Sequence, residues 1–346
     1  MRLKDIARLA NVSISTVSLV LNNKAGVSRE KRDYIRSLLQ ENGYTIPSAD
    51  TSSVKRSFRF FKYSRHGSMV NGNPGFVNSI LDAIEKECRY QNCNLIMTAF
   101  DHTHMDRIIK QIHHDPLDGI IMLGTEAETE DFEKVCSLAV PTVVVDCPAE
   151  NIDISSVTMN NEEAIYAAVS YLKGLGHEAI GFLANALPSG NCRARLRAYK
   201  NALDVLDLRY SDMLVHELMP TMTGAYNSMR DLLERGTRFP SALVCNNDAI
   251  ALGAMRALRE FHVSVPEDIS IIGFDDISFA AISEPPLTTV SVPCGEIGIW
   301  TVRLLINFAN CSDAAVTKIK VSPHMVLRSS TAPYQPSDNP CLLRDT

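Results

Sequence analysis

Polar side chains follow directly after three short apolar runs of the sequence. Asp146 follows TVVV, Asp275 ends the run IIGFD, and Asn247 lies two residues beyond SALVC. Ligands of parallel α/β sheets bind beyond the carboxyl ends of the strands, where we expect these side chains to lie. Carboxylates accept hydroxyl protons and an amide both donates and accepts, so the set suits a small polyol. A structural alternative stays open, because Asp275 and Asp248 are also suited to capping helices.

A second set of side chains suited to binding lies in residues 3–22, LKDIARLANVSISTVSLVLN. Apolar residues recur at helical spacing on both sides of Asn11-Val12-Ser13, which predicts two short helices around a sharp turn. Ser13 is suited to be the N-cap of the second helix. The outward face of that helix carries Ile14, Ser15, Ser18 and Leu19. The pattern favours a helix-turn-helix that places its second helix in the DNA major groove, and a plain helical hairpin is the alternative.

Residues 5–44, DIARLANVSISTVSLVLNNKAGVSREKRDYIRSLLQENGY, contain an ordered set of motifs. The order is D-I-A-x-x-A-x-V-S-x-x-T-V-S-x-V-L-N, then V-S-x-x-x-R, then G-Y-x-x-P, which continues to Pro47. This stretch resembles the DNA-binding headpiece of the lactose/galactose repressor family (LacI/GalR) of bacterial transcriptional regulators, and the resemblance continues to about residue 333. It implies a repressor whose homodimer binds a palindromic double-stranded operator. It also implies that a small molecule, a sugar or sugar derivative, controls operator affinity.

Several residues of the headpiece are expected at the DNA interface. Leu19 stands where the resembled family often carries Arg, so the forked donor to guanine is absent, and Ile14 and Leu19 would contact thymine methyl groups. The hydroxyl of Ser15 is expected to make a weak polar contact with a base edge. Contacts to the phosphate backbone are expected from Thr16, Ser18, Asn22 and Arg29. Val54 falls at the family's minor-groove wedge position, but the family's Ala-Arg hinge pattern is missing, so a disordered linker residue is the alternative.

Three cleft positions match ligand-contacting positions of the same family. They are Arg195 in ARLRAY, Asn247 in CNNDAIALG and Asp275 in IIGFDD. The guanidinium of Arg195 would add a forked donor to the polyol site, and Asp146 would clamp the ligand from the other half. Phe76 would stack on a sugar face, and structural roles for Phe76 and Asp146 are equal alternatives. The basic stretch with Arg65 and His66 leaves open either an anionic effector or exposure to solvent.

The charge of the chain is unevenly distributed. Residues 1–65 hold 13 Lys and Arg against 5 Asp and Glu, a net charge of +8, and the remaining residues hold 21 against 35, a net charge of −14. A basic head on an acidic body indicates that the head alone binds a polyanion. The nine cysteines show no C-x-x-C spacing, so we expect reduced thiols and neither a metal nor another cofactor.

The sequence lacks the signals typical of an exported protein, a membrane protein and an enzyme. The sequence has no signal segment and no long apolar span, so we expect a cytoplasmic protein that does not enter the membrane. An exported solute-binding protein is therefore the weaker alternative. An enzyme is not expected, because G-x-S-x-G, a Gly-rich phosphate loop and His/Glu metal spacing are absent.

Apolar runs alternate with helical patterns from residue 57 onward, which predicts parallel sheets covered by helices. The predicted fold is multidomain, with an all-α helix-turn-helix headpiece and an α/β periplasmic-binding-protein-like body of two similar parallel-sheet subdomains. The predicted bounds are 1–45 for the headpiece, 46–57 for a hinge or linker, 58–333 for the effector-binding and dimerisation domain, and 334–346 for a flexible tail. The body divides into an N-subdomain at about 58–158 and 291–320 and a C-subdomain at about 159–290 and 321–333. The tail has no Leu heptads, so a dimer is expected rather than a coiled-coil tetramer.

Overall fold

The computed structural model describes residues 3–21, 26–42, 44, 55–112, 115–187, 189–311, 314–336, 339 and 341–343. Its contacts divide the chain into two units, residues 1–56 and 57–346, and each unit is described by itself. Asn22, Val54 and most of the predicted hinge lie outside the described residues, and so does the side chain of Arg29.

The first unit contains the helices α1 (Leu3–Leu9), α2 (Ile14–Leu21) and α3 (Arg29–Glu41). Their shared core is formed by Ile6, Ala7, Val17, Val20, Ile35 and Leu39. The turn between α1 and α2 is sharp because Asn11 takes a positive φ of 49°, which asparagine tolerates better than most residues. Ser13 caps α2, since its Oγ accepts the backbone N–H of Thr16 at 3.1 Å. The predicted helix-turn-helix is confirmed.

The second unit begins with a parallel sheet, which forms the first subdomain. Its strands are β1 (Ser57–Ser64), β2 (Asn94–Asp101), β3 (Gly119–Leu123), β4 (Thr142–Val145), β5 (Ser155–Met159) and β11 (Lys318–Val321), in the order β11-β5-β4-β3-β1-β2. Its helices are α4 (Pro74–Tyr90), α5 (Met105–Ile112), α6 (Thr129–Cys136) and α12 (Cys294–Asn310). Alternate residues of β3 pack into two separate apolar clusters, so both faces of the sheet are covered, as its continuous apolar run predicts.

A second six-stranded sheet forms the second subdomain. Its strands are β6 (Ile180–Asn185), β7 (Val215–Leu218), β8 (Ala242–Cys245), β9 (Ser270–Asp275), β10 (Thr288–Ser291) and β12 (His324–Val326), in the order β12-β10-β9-β8-β6-β7. Its helices are α7 (Asn161–Gly174), α8 (Gly190–Val205), α9 (Met222–Glu234), α10 (Asp248–Glu260) and α11 (Ser278–Ile282). All its pairings are parallel except that of β12 with β10. The chain crosses between sheets after β5, β10 and β11, which confirms the predicted body of two similar α/β subdomains. Across the described ranges, no helix combines the length and apolar character needed to span a membrane.

The sequence pattern does not indicate β5 or β7. The strand β5 reads SSVTM, yet all of it is buried because its hydroxyl groups find partners inside the protein. The Oγ of Ser156 donates to the carbonyl of Pro148, and the Oγ of Ser155 accepts the N–H of Thr317. The strand β7 is short and lies at the sheet edge, and in it Leu218 alone is fully buried, so it lacks the apolar run of a central strand.

The prediction of a flexible tail at 334–346 is wrong for the described part of that segment. Leu342 is 4 % exposed and packs into the apolar core of the second subdomain. Phe239 forms a parallel bridge with it, donating its N–H to the carbonyl of Cys341 and accepting the N–H of Leu343. These apolar residues in an otherwise polar tail dock it by removing apolar surface from water.

Candidate functional site

A cleft lies between the two subdomains at the carboxyl ends of β4, β8 and β9. Its walls are formed by Met69, Asn73, Phe76, Val77, Thr125, Asp146, Ser189, Asn191, Cys192, Arg195, Asn246, Asn247 and Asp275. The fold therefore brings all five predicted effector-binding side chains together. The free volume is about 40 Å³, which is room for roughly two or three water molecules.

Arg195, on α8, is buried and its guanidinium is held from several sides. Its Nε donates to Oδ1 of Asn161 at 2.9 Å, and its Nη1 donates to the carbonyl of Asn246 at 2.6 Å. The guanidinium carbon lies 3.6 Å from the centroid of the Phe274 ring, which is a cation–π contact. Its Nη2 lies 3.9 Å from Oδ1 of Asp275. The guanidinium is thus held in place with one edge toward Asp275.

Asp275 ends β9, and its side chain is 6 % exposed, but its carboxylate has few partners. Within the described ranges it accepts one hydrogen bond, from Nδ2 of Asn73 at 2.9 Å, besides the longer contact to Arg195. Burial raises the pKa of Asp275 well above its ordinary value, and the charge of Arg195 opposes that rise. The backbone φ of Asp275 is 110°, and such strain in a non-glycine residue is concentrated at functional sites.

Asp146 follows β4, and both of its carboxylate oxygens have partners. Its Oδ2 accepts the hydroxyl of Thr125 at 2.5 Å, and its Oδ1 accepts Nδ2 of Asn191 at 2.8 Å. Burial raises the pKa of Asp146 to about 6, while the Thr125 hydrogen bond and the charge of Arg195 limit the rise. Asn191 belongs to α8 of the second subdomain, so Asp146 links the two walls of the cleft.

Asn247 is the N-cap of α10, because its Oδ1 accepts the N–H of Ile250 at 2.8 Å. The next residue, Asp248, is buried and accepts the N–H of Ile277 and the hydroxyl of Thr289. Burial raises the pKa of Asp248 to about 7, and the Thr289 hydrogen bond opposes that rise. The structural alternative of helix-capping aspartates is therefore wrong: Asn247 caps α10, Asp248 is the first residue of that helix, and the N-cap of α11 is Ile277, without a side-chain cap.

Phe76 lies in the first turn of α4 and is 8 % exposed. It touches the cleft and also belongs to the apolar cluster that packs under α4. Both its predicted role as a sugar platform and its structural alternative are compatible with this position.

The sequence pattern does not single out four asparagines of the site. They are Asn73, Asn161, Asn191 and Asn246. Three lie at or next to a helix start and the fourth follows the end of β8, and these positions are the signal that sequence reasoning missed. Such positions place short polar side chains at the cleft edge of the sheets.

Glu126 organises the loop that leads from β1 into α4. Its fully buried carboxylate accepts backbone N–H bonds of 2.8–2.9 Å from Arg65, His66, Gly67, Met69 and Val70. Burial favours a higher pKa, but the backbone donors outweigh it and hold the pKa of Glu126 below its ordinary value. The loop brings Met69 and Asn73 to the cleft. Its donors are backbone groups, so no side-chain motif of the sequence reveals the contact.

The basic side chains of this loop have acidic partners close by. Arg65 forms ion pairs with Glu130 and with buried Asp131, the latter at 2.8 Å. The Nδ1 of His66 lies 3.4 Å from Oε1 of Glu126. Neither residue lines the cleft, so the geometry gives no support to an anionic effector bound by this loop.

Ion pairs connect the two subdomains beside the cleft. Arg193 and Arg197 lie one turn apart on α8 and pair with Glu128 and Glu150 of the first subdomain. The Arg193–Glu128 pair has two contacts, at 2.9 and 3.1 Å, and a cavity of about 240 Å³ lies alongside. Exposed pairs of this kind are individually weak, yet they add to the contacts that favour the closed cleft.

The residues predicted to read DNA lie on α2 of the first unit. Ile14 and Ser15 are exposed, and Thr16, Ser18 and Leu19 are half-buried. The Oγ of Ser13 lies within 2.8 Å of the hydroxyls of Ser15 and Thr16, so the start of α2 is a connected polar surface. Ile14, at 54 % exposure, is the largest apolar group that this surface offers to a partner.

A helix-turn-helix joined to a body of two α/β subdomains is the architecture expected of a DNA-binding regulator. Residues 2–47 match the bacterial regulatory proteins of the lacI family, and residues 169–331 match the periplasmic binding protein-like domain. The ribose operon repressor of Haemophilus influenzae is 31 % identical over 332 residues, which cover 95 % of this chain and 98 % of the relative. The repressor PurR of Vibrio atlanticus is 30 % identical with the same coverage. The chain belongs to the lacI family and is a DNA-binding transcriptional regulator.

Solved structures share this fold along nearly the whole chain. The lac repressor dimer bound to operator and the anti-inducer ONPF has a TM-score of 0.73 at 23 % identity and covers 96 % of this chain and 99 % of its own. The regulator CelR in complex with cellobiose has a TM-score of 0.70 at 23 % identity and covers 95 % and 99 %. Likeness at this level of identity concerns the fold, and it confirms the predicted fold class.

Proposed function

We propose that this regulator is a repressor whose homodimer binds a palindromic operator through α2 and whose operator affinity is controlled by a sugar or sugar derivative in the cleft. The observation that carries the proposal is the Asp275 carboxylate, which is buried beside Arg195 with spare hydrogen-bonding capacity. Two comparisons support a sugar: relatives include a ribose operon repressor, and a regulator of the family from Enterococcus faecium holds ribose on the same fold.

A polyol supplies what the Asp275 carboxylate lacks. An ionised carboxylate has roughly four acceptor sites, and Asn73 fills one of them. Hydroxyl groups of a sugar would fill others and stabilise the charged form. Effector binding therefore lowers the pKa of Asp275, and by linkage effector affinity rises with pH as Asp275 of the free protein ionises.

The other predicted residues take complementary roles in this proposal. Arg195 offers its Nη2, which lies 3.9 Å from Oδ1 of Asp275 and from Sδ of Met159, to a ligand oxygen, and Asn247 offers the Nδ2 that its helix cap does not use. Phe76 covers one face of the sugar. Asp146 acts on closure of the cleft through Asn191 rather than as a main ligand contact.

Control of the operator follows from the geometry of the cleft. The closed cleft has too little free volume for a sugar, so binding changes the relation of the two subdomains by hinge motion. Effector and operator then influence each other reciprocally, with a coupling free energy of about 1–3 kcal/mol typical of such systems.

At the DNA, Ile14 and Leu19 contact thymine methyl groups and Ser15 reads a base weakly. Phosphates are held by Thr16, Ser18, Asn22 and Arg29, and Val54 keeps its sequence-based role as a minor-groove wedge. The protein acts on chromosomal DNA in the cytoplasm, and we assign neither catalysis nor a cofactor to the cleft. Turnover of a bound sugar by the purified protein would contradict that last point.

The test begins with a thermal-shift screen of the full chain against ribose, other pentoses, hexoses, cellobiose, nucleosides and sugar phosphates. A ligand that binds the folded state raises the melting temperature by mass action. The best sugar is then used in operator titrations. No shift with any of these compounds would contradict the proposed effector class.

The variant Asp275→Asn should abolish the response to that sugar while leaving operator affinity without sugar close to wild type. The substitution turns one acceptor oxygen into a donor, and losing a hydrogen bond to a charged group costs about ten- to a hundredfold in effector affinity. The matched control is Asp276→Asn, the next residue, which pairs with Arg328 at 2.6 Å outside the cleft. An Asp275→Asn variant that responds at the wild-type sugar concentration would exclude Asp275 as a ligand.

A further inference from the structure

We infer that Asn246 is a specificity-determining residue of the cleft, whose Nδ2 donates a hydrogen bond to an oxygen of the effector. This inference rests on the proposed function, because it requires a polyol in the cleft. Asn246 follows β8, is 1 % exposed and lines the cleft. Its Nδ2 is a buried donor that finds no partner in the part of the chain that the structure describes.

The backbone of Asn246 is fixed on both sides. Its N–H donates to the carbonyl of Leu183 in β6 at 2.9 Å. Its carbonyl accepts Nη1 of Arg195 at 2.6 Å. The side chain is therefore held at the cleft wall by the same arginine that faces Asp275.

A chain of hydrogen bonds decides which end of the Asn246 amide faces the cleft. The chain starts at the backbone N–H of Leu187, which can only donate and which contacts Oδ1 of Asn185 at 2.9 Å. The amide of Asn185 is thereby oriented, and its Nδ2 reaches Sγ of Cys192 at 3.2 Å and the acceptor-only Sδ of Met69 at 2.9 Å. The Cys192 thiol then donates to Oδ1 of Asn246 at 3.2 Å, which leaves Nδ2 as the free end.

This direction depends on a protonated thiol at Cys192. Burial raises the pKa of Cys192, while Arg195 opposes the rise, so the thiol keeps its proton at neutral pH. Cys192 is thus a positioning residue: it orients the Asn246 amide and leaves the contact with the ligand to Asn246.

A buried donor without a partner costs free energy in the folded protein, because it loses water and gains nothing in return. A ligand oxygen removes that cost when it binds. Asp275 accepts and Asn246 donates, so the effector presents a hydroxyl hydrogen to one and a hydroxyl or ring oxygen to the other. A ligand with a methyl or ammonium group at the second position leaves Nδ2 unpaired and is rejected.

The experiment measures sugar affinity by calorimetry on the full chain, starting with ribose and continuing with the sugar that gives the largest thermal shift. Asn246→Asp keeps the shape but replaces the donor by an acceptor, and we expect at least a tenfold loss of affinity. Asn246→Ala removes the donor, and we expect about a two- to twelvefold loss, the usual worth of a neutral hydrogen bond. The control Asn201→Asp makes the same chemical change on the exposed face of α8 and should bind like wild type.

A second pair of variants tests whether the Cys192 thiol orients the Asn246 amide. Cys192→Ala removes the donor that orients Asn246, so affinity should fall, and Cys192→Ser supplies an O–H in its place and should bind more tightly than Cys192→Ala. A merely structural role of Asn246 predicts another pattern: a lower melting temperature without sugar and unchanged affinity.

Three outcomes overturn the inference. The first is wild-type affinity in both Asn246 variants, and the second is equal affinity in the two Cys192 variants. The third is a wild-type protein that binds operator but none of the sugars, in which case the proposed effector class fails and the role of Asn246 falls with it. If Asn246→Asp does not fold, Asn246→Ala and the Cys192 pair decide the question.

Discussion

Replacing Glu126 by glutamine tests whether one buried carboxylate holds the loop that lines the cleft. In the structure, Oε2 accepts three backbone N–H groups and Oε1 accepts two, from Met69 and Val70. A glutamine amide has one acceptor oxygen. If that oxygen serves the three donors, the NH₂ group faces the N–H groups of Met69 and Val70 and both hydrogen bonds are lost.

The size of the effect follows from those two bonds. A hydrogen bond to a charged group contributes about 1.5–3 kcal/mol, so Glu126→Gln should lower the free energy of unfolding by about 3–6 kcal/mol. The matched control is Glu130→Gln, because Glu130 is 59 % exposed and pairs with Arg65 from the same loop. An exposed pair contributes at most about 1 kcal/mol.

Two assays check this prediction at pH 7. Urea unfolding gives the change in free energy, and amide hydrogen exchange reports on the loop itself. The N–H groups of Met69 and Val70 should be protected in wild type and in Glu130→Gln and should exchange rapidly in Glu126→Gln. Loss of less than 1 kcal/mol with unchanged protection would refute the argument.

The pH dependence of Glu126 has a definite sign. Its pKa is lowered in the folded protein because backbone donors outweigh burial. Its contribution to stability is therefore fully present above the unfolded pKa of about 4.3 and is lost as pH falls through the folded value. The difference between wild type and Glu126→Gln should be constant near neutral pH and shrink below about pH 4.

Two further variants probe the body. Leu342→Ala should lower the free energy of unfolding by about 2–5 kcal/mol, as for other buried leucines, and a change near zero in a urea titration would mean that the tail does not dock. Asp146→Asn removes a carboxylate whose pKa burial raises to about 6. Ionisation of this buried group lowers the free energy of unfolding of wild type, and this cost is absent below pH 4 and complete above pH 6. The variant should therefore be more stable than wild type at pH 8, by up to about 3 kcal/mol, and equal to it near pH 4; a variant that is less stable at pH 8 would contradict this reasoning.

The headpiece and the two α/β subdomains could be predicted because their signals are local. Ser13 is a good cap by type and position, and the apolar runs of β3 and β4 are long enough to stand out. Asp146 and Asp275 could be placed at the cleft because each directly follows such a run. Residues at or directly after the carboxyl end of a strand of such a sheet lie at the cleft, so Asp146 and Asp275 could be placed without knowledge of tertiary contacts.

Other features depend on partners that the sequence does not display. The polar side chains of Ser155 and Ser156 are typical of a loop, and the sequence does not show that their hydroxyl groups form hydrogen bonds inside the protein. Leu342 lies in a polar segment of the sequence, which does not show that the residue pairs with Phe239. Glu126 reads as a surface acid in an acidic stretch, because its five donors are backbone groups some sixty residues away.

The closed cleft changes how effector affinity is understood. Nδ2 of Asn73, from the first subdomain, bonds to Asp275 of the second and occupies a place that a ligand hydroxyl would take. Asp146 and Asn191 make a second bond across the cleft. A sugar must replace or stretch these contacts before it binds, so the measured affinity is the ligand's own interaction energy minus the cost of opening. A variant that weakens closure without touching the ligand therefore binds the sugar more tightly, and its operator response shifts to lower sugar concentrations.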